Sequence, residues 1–263
     1  MKAPEALEII GELASQQWGL FTATQAKDAG VDPTSIRRLA ERGLTLRMRH
    51  GVYAIAGTPF SPDLEVKALW LGLRPGIMAA DRTRGFDPAN DAVVSHSTAA
   101  SIWRVGDLWP DGAHFTVGGR KRSRQPEVVF HLSQLGVDEW VIHEDAGLPV
   151  TSVPRTLVDL AEAGTEISHL SSLIGDAADA LLTDQEELIR AFNGREDALG
   201  LELGDYAGLR GFIREAFPTV ELDPRVVEAI EKSLAPYIQQ MGDFLAGRTN
   251  ASKGGNGAGS EQG

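Results

Sequence analysis

The 263-residue sequence has no cysteine, which excludes a disulfide scaffold, a thiolate zinc site and a cysteine nucleophile. It has no apolar run approaching the roughly 20 residues that a membrane helix needs. Its longest candidates are interrupted by charges, Gly or Pro. The opening MKAPEALEIIGELASQQ is amphipathic and acidic, without the apolar block and small-residue cleavage site of a secretory signal. There is no G-x-x-x-x-G-K-[ST] and no G-x-G-x-x-G, so neither common phosphate cradle is present. No internal repeat is visible. These absences fit a cytoplasmic protein with no membrane partner and no cofactor.

Charge is scarce in one sign only locally. The chain carries a net −12. Residues 1–58 hold 7 basic and 6 acidic side chains, residues 59–160 hold 10 and 13, and residues 161–263 hold 8 and 18. Residues 32–56 carry five Arg against Asp32 and Glu41. A duplex responds to charge within about 8–10 Å at physiological salt. An acidic far end is therefore compatible with a basic front face, while limiting non-specific affinity.

The order of elements in the first 57 residues is that of a winged helix-turn-helix. Ala6, Leu7, Ile10, Leu13 and Ala14 recur at helical spacing and predict a helix over 4–17, ended by Trp18-Gly19. Thr22 and Gln25 have the form of a capping box for a short helix reaching Gly30. Asp32 as N-cap and Pro33 at the first helical position open a third helix to about Arg42, closed by Gly43. Two short helices across a tight turn, behind a longer one, form the DNA-binding arrangement. In the third helix Ile36, Leu39 and Ala40 read as the core side. Thr34, Ser35, Arg37, Arg38, Glu41 and Arg42 read as outward. Arg on such a helix can bond bidentately to guanine in the major groove, while Thr34 and Ser35 suit phosphate or base-edge contacts.

A hairpin follows, with His50-Gly51 as a two-residue turn. Strict alternation predicts Arg49 opposite Val52, Met48 opposite Tyr53 and Leu46 opposite Ile55. It puts Leu46, Met48, Tyr53 and Ile55 on a core face, and Arg47 and Arg49 together on a basic one. The expected DNA-contacting set is therefore Thr34, Ser35, Arg37, Arg38, Arg42, Arg47, Arg49 and His50.

Residues 57–62, rich in Gly, Pro and Ser, read as a linker. Beyond it, a mixed α/β domain is expected over 63–163. It has a helix at 63–73, a loop to about residue 90, a strand at 92–95 and a helix around 98–104. Strands follow at 113–117, 128–132, 139–144 and 148–152, then a helix at 154–163. A helical region over 164–247 follows, with helices at 168–182, 184–193, 206–217 and 224–245. The tail 248–263 is too rich in Gly and Ser to pack. The fold class is α+β.

Four other groups bear on chemistry. Arg120, Lys121, Arg122 and Arg124 lie between two strands and read as an exposed hairpin loop, a candidate second contact to DNA or to an acidic partner. Glu65-Val66-Lys67 fits half of a restriction-type nuclease motif, but its surroundings are helical where that motif needs a strand. Ser95-His96-Ser97 lacks the elbow glycines of a nucleophilic serine, and Ser97 or Thr98 suits the cap of the next helix. His114, His131 and His143 fall on separate strands without metal-ligand spacing, so buried, hydrogen-bonded histidine is the expectation.

The front end, LASQQWGLFTATQAKDAGVDPTSIRRLAERGLTLRMRHGVYAIAG, resembles the N-terminal domain of the AbiEi antitoxins of type IV toxin–antitoxin systems. The shared features are the segment from Gly19 to Val31, the basic helix from Arg37 to Arg42, and Arg47 to Tyr53 closing the wing. AVVSHSTAASIW and GLPVTSVPRTLVDLA also resemble actinobacterial members, so the likeness reaches about residue 163. The resemblance implies a non-enzymatic autorepressor that binds inverted repeats in its own promoter, with a dimer on DNA as one arrangement. It also implies an AbiEii-type nucleotidyltransferase toxin, countered through the C-terminal domain. Arg37, Arg38, Arg42, Arg47 and Arg49 would hold the operator. Alternative readings are a metal-dependent nuclease fused to a DNA-binding module, and a transcription factor without a toxin. The acidic last third departs from family members whose C-terminal domain is basic.

Overall fold

A computed structural model describes residues 2–108, 112–123 and 125–218, together with 232–234 and 236–237. Those last five residues are helical, but the rest of the expected helix at 224–245 and the tail at 248–263 lie outside the described residues. Residues 1–218 form one compact unit, α+β, with a winged helix-turn-helix at its start.

The N-terminal module is α1 (Ala3–Ser15), β1 (Leu20–Thr22), α2 (Ala23–Asp28), α3 (Pro33–Glu41), β2 (Thr45–Arg49) and β3 (Val52–Ile55). The local signals act as expected. Thr22 accepts from the Gln25 N–H while Gln25 bonds back to Thr22, and Asp32 caps α3 with Pro33 in its first turn. Ile10, Phe21, Ala26, Val31, Ile36 and Leu39 form a closed core, with Tyr53 stacked on Phe21 at 5.4 Å between ring centroids. Burying Phe21 fully is worth about 1.5–3 kcal/mol. β1 is a three-residue strand that the alternation pattern does not reveal, because all three of its residues are buried. It completes a sheet of order β1-β3-β2.

β3 is shared between two cores. Tyr53 and Ile55 pack on the helices, while Val52 and Ala54 face a second cluster with Leu20, Leu64, Ala68 and Trp70. The second face of the wing sheet is therefore covered by α4 (Pro62–Leu73) rather than by solvent. Gln17 accepts from the Ala79 N–H, and Gln25 donates to the Ile77 carbonyl, so buried amides also tie the two regions together.

After α5 (Ala79–Arg84), a short helix where the sequence suggests only loop, comes a five-stranded sheet. It comprises β4 (Ala92–Val94), β5 (Ala113–Val117), β6 (Val128–Leu132), β7 (Trp140–Ile142) and β8 (Pro149–Thr151), in the order β6-β5-β4-β8-β7. β5 and β6 run parallel. The basic segment between them is therefore a crossover and not the expected hairpin, because a hairpin joins antiparallel neighbours only. α6 (His96–Trp103) follows β4 directly, two residues before the expected start. The helices α7 (Val153–Glu162), α8 (Ile167–Asp179), α9 (Gln185–Phe192) and α10 (Tyr206–Ala216) enclose a separate apolar core around Leu157, Leu170, Leu173, Ile174 and Phe192. Among the described residues no helix is long and apolar enough to cross a membrane.

Deep in the sheet domain, the Arg82 side chain is fully buried and grips Asp91 through two bonds of 3.1 and 2.7 Å. Its guanidinium lies 3.3 Å from the centroid of Trp70. A charge in such a position is tolerable only when paired.

Candidate nucleic-acid interface

α3 starts on Asp32, whose carboxylate accepts from the Ser35 backbone N–H at 3.0 Å and from the Ser35 hydroxyl at 2.7 Å. The Ser35 hydroxyl, followed by the backbone N–H, holds the Asp32 carboxyl below its ordinary pKa. Ser35 is consequently buried beside Ile36 and Leu39, which corrects its expected outward placement. Its oxygen completes the helix cap, and Ala40, expected inside, is only half-buried. Thr34, Arg37, Arg38 and Arg42 are exposed. Arg37 reaches Glu41 at 2.8 Å one turn along, with its side chain 80% exposed. A pair so open to water is screened and leaves the cation at the surface.

The wing differs from strict alternation at one place. Arg49 pairs with Val52 as expected, and Gly51 takes φ +75° in the turn. A register shift between Arg47 and Arg49 then sets Arg47 opposite Tyr53 and Leu46 opposite Ala54. The extra residue is Met48, which the bulge turns toward the cluster beneath the wing. Because facing residues share a side of the sheet, Arg47 lies on the Tyr53 side and Arg49 on the Val52 side. The expected common basic face is thus split. Leu46, assigned to the core, is 56% exposed, and Thr45 takes the buried position at 1%.

The two arginines consequently have different surroundings. Arg47 is exposed, with one guanidinium nitrogen 3.2 Å from Nδ1 of the exposed His50. Arg49 donates to the Met48 carbonyl at 3.0 Å and to Glu65 of α4 at 3.0 Å. Its Nε is buried with no hydrogen-bond partner. Arg49 belongs to the seam between wing and α4, which is a correction to its expected role on the open surface. The outward set is therefore Thr34, Arg37, Arg38, Arg42, Arg47 and His50.

In the crossover, Arg120 and Arg122 are exposed, whereas Lys121 bends in to donate to the Asn90 carbonyl at 3.0 Å, with Asp91 at 3.9 Å. Burial, outweighing the pull of Asp91, lowers the Lys121 pKa. Arg124 lies outside the described residues. Glu65 and Lys67 sit on α4. Glu65 pairs with Arg49, while Lys67 is buried with Nζ 5.4 Å from the centroid of the Trp18 ring. They do not converge.

One cluster has no counterpart among the sequence expectations. His96 follows β4 at a sharp turn, with a left-handed φ of +54° unusual for a side chain with a Cβ. The Ser95 N–H donates to the His114 carbonyl at 3.0 Å, which sets this turn against β5. In the parallel register His131 faces Thr116, two residues beyond His114 and on the same side. One nitrogen from each of His96, His114 and His131 falls within 4.8 Å of the others. The His96 and His131 rings stack at 3.5 Å, and Nδ1 of His114 is 2.9 Å from Nε2 of His131. Burial, together with the neighbouring histidines and Arg155, pushes the His96 pKa down to about 3. Behind it Asp159 is buried, its carboxyl pushed up to about 6 by burial despite the bond from Arg155 at 2.7 Å. No local spacing signals this trio. His143 is elsewhere, 4.6 Å from Trp103 between ring centroids.

No curated protein matches this chain. The crystal structure of the RV2827C protein from Mycobacterium tuberculosis is similar at 18% identity, with 81% of each chain covered and a TM-score of 0.43. Residues 8–56, which span the capped turn, the basic helix and the wing, match the family model described as "Transcriptional regulator, AbiEi antitoxin".

Proposed function

We propose that the protein is a cytoplasmic antitoxin and autorepressor of the type IV class, acting without catalysis. α3 enters the major groove of its operator, and Arg47 with His50 at the wing tip meets the flanking backbone. The observation that carries this reading is the division of α3. Ser35, Ile36 and Leu39 are buried, while Thr34, Arg37, Arg38 and Arg42 are presented outward. Arg in that position can read guanine, and phosphate contacts fix the register. An operator of inverted repeats is matched by two copies related by a two-fold axis. The countered partner is a nucleotidyltransferase-type toxin, met through the region after the wing.

A mobility-shift assay with the promoter of the protein's own operon, at physiological salt, tests the DNA part. Binding at least 10³-fold tighter than to random duplex is expected of a specific regulator. Equal affinity for both would overturn the repressor reading. Co-expression with a neighbouring nucleotidyltransferase tests the toxin part. Rescue of growth supports an antitoxin, and its absence leaves a transcription factor alone.

A further inference from the structure

We propose that His96, His114 and His131 form a binding site for one borderline divalent metal ion of the zinc type. This site is separate from the DNA-contacting face and does not depend on it.

The three imidazoles are held against one another, His96 stacked on His131 and His131 in hydrogen-bond contact with His114. Here they come from three places in the sequence and converge because of tertiary structure alone. Parallel pairing puts His114 and His131 on one side of β5 and β6, and the β4–α6 turn swings His96 over them. Their nitrogens within 4.8 Å approach the separation that ligands adopt around a small ion. Neutral imidazole suits zinc, copper, nickel and iron, and a chain without cysteine offers no thiolate to compete for such ions.

A second observation points the same way. The Oδ2 atom of Asp159 is buried and has no hydrogen-bond partner, and it lies 3.8 Å from Nδ1 of His96. Metal-bound imidazoles characteristically donate their far N–H to a carboxylate, and a small shift of the His96 ring on binding would bring Nδ1 into hydrogen-bond reach of this unpartnered oxygen. Nδ1 of His96 also lies 3.0 Å from the Ser95 hydroxyl. With Nδ1 so engaged, Nε2 is the nitrogen of His96 that would ligate the ion. Binding would replace the contact between His114 and His131 with bonds to metal. It would also clamp β5 and β6 to the start of α6 and, through Asp159, to α7. Three protein ligands leave a fourth position for water or another small ligand, and His114 and His131 are only half-buried.

The test uses the full chain without a histidine tag, titrated with Co²⁺ as a spectroscopic probe and then with Zn²⁺ in competition. One Co²⁺ per chain with visible bands of nitrogen-ligated cobalt, displaced by one Zn²⁺, is the expected result. His114→Ala and His131→Ala should each abolish the bands. Asp159→Asn should weaken binding by roughly 10–100-fold, the usual loss when such support is removed. His169→Ala, on α8, should leave the titration unchanged. Circular dichroism of each variant separates loss of a ligand from loss of fold. The wild-type titration by itself decides the matter if a variant unfolds. No cobalt bands in the wild-type chain, or folded His114→Ala and His131→Ala chains binding as tightly as wild type, would overturn the proposal.

Discussion

Arg49 and Glu65 meet at 3.0 Å, so the second arginine of the wing is held by the helix behind it. Arg47, two residues earlier, is left at the surface beside His50. One inserted residue in a strand thus assigns two neighbouring cations to different tasks.

Arg47→Ala should lower affinity for operator and random duplex alike, and flatten the dependence of log K on log salt by about 0.9 for each phosphate no longer neutralised. Arg49→Ala should leave that slope unchanged and show its effect in thermal unfolding instead. Salt titrations of both variants check this, and equal slopes for the two would contradict the division.

The double variant Arg37→Ala/Arg38→Ala should lose specific binding, with about 1–3 kcal/mol for each bidentate base contact removed. The fold should survive, because both side chains are exposed. Mobility shifts with circular dichroism measure the two effects separately. Wild-type affinity would remove α3 from the interface.

Asp32→Ala should destabilise the module by about 0.5–2 kcal/mol through loss of the cap. Ser35→Ala should act in the same direction, and each variant should affect DNA binding only as far as it unfolds α3. A folded Ser35→Ala variant with weakened operator affinity would restore Ser35 to the contact set.

Asp91 gives a pH dependence of known sign. Burial raises its pKa, but the bonds and charge of Arg82 outweigh this and leave it below the ordinary value. A carboxyl lowered on folding contributes stability above its unfolded pKa of about 3.9, and the contribution is lost as pH falls through the folded value. The Asp91 contribution should accordingly be level near neutrality and decline in acid. Asp91→Asn should cost about 3–5 kcal/mol near neutrality, because Arg82 would remain buried without its counter-charge, and should flatten the acid decline. Urea unfolding of both chains across pH measures this.

Much of the N-terminal module is legible because its signals are local. Thr22 with Gln25, Asp32 with Pro33, and His50-Gly51 each specify a backbone event within four residues. The bulge at Met48 is not legible, since Leu-Arg-Met-Arg alternates cleanly and only the packing of Met48 beneath the wing breaks the pattern. Nor is the burial of Ser35, where an N-terminal serine reads equally as a surface contact or part of the cap. The parallel pairing of β5 and β6 cannot be read from a connection of only ten residues, 118–127, because short connections usually mark hairpins. The histidine trio is hidden for a related reason. Its members are 18 and 17 positions apart, and only sheet register brings them together.

Sharing β3 between two cores has a practical consequence for anyone dissecting the molecule. A fragment cut at residue 57 would strip the cover from Leu20, Val52 and Ala54 and offer a greasy sheet face to the solvent. The reading head is not a detachable cassette. Transplanting it onto another protein would require carrying α4 along, and a ligand that shifts α4 would tug on the strand that supports the wing.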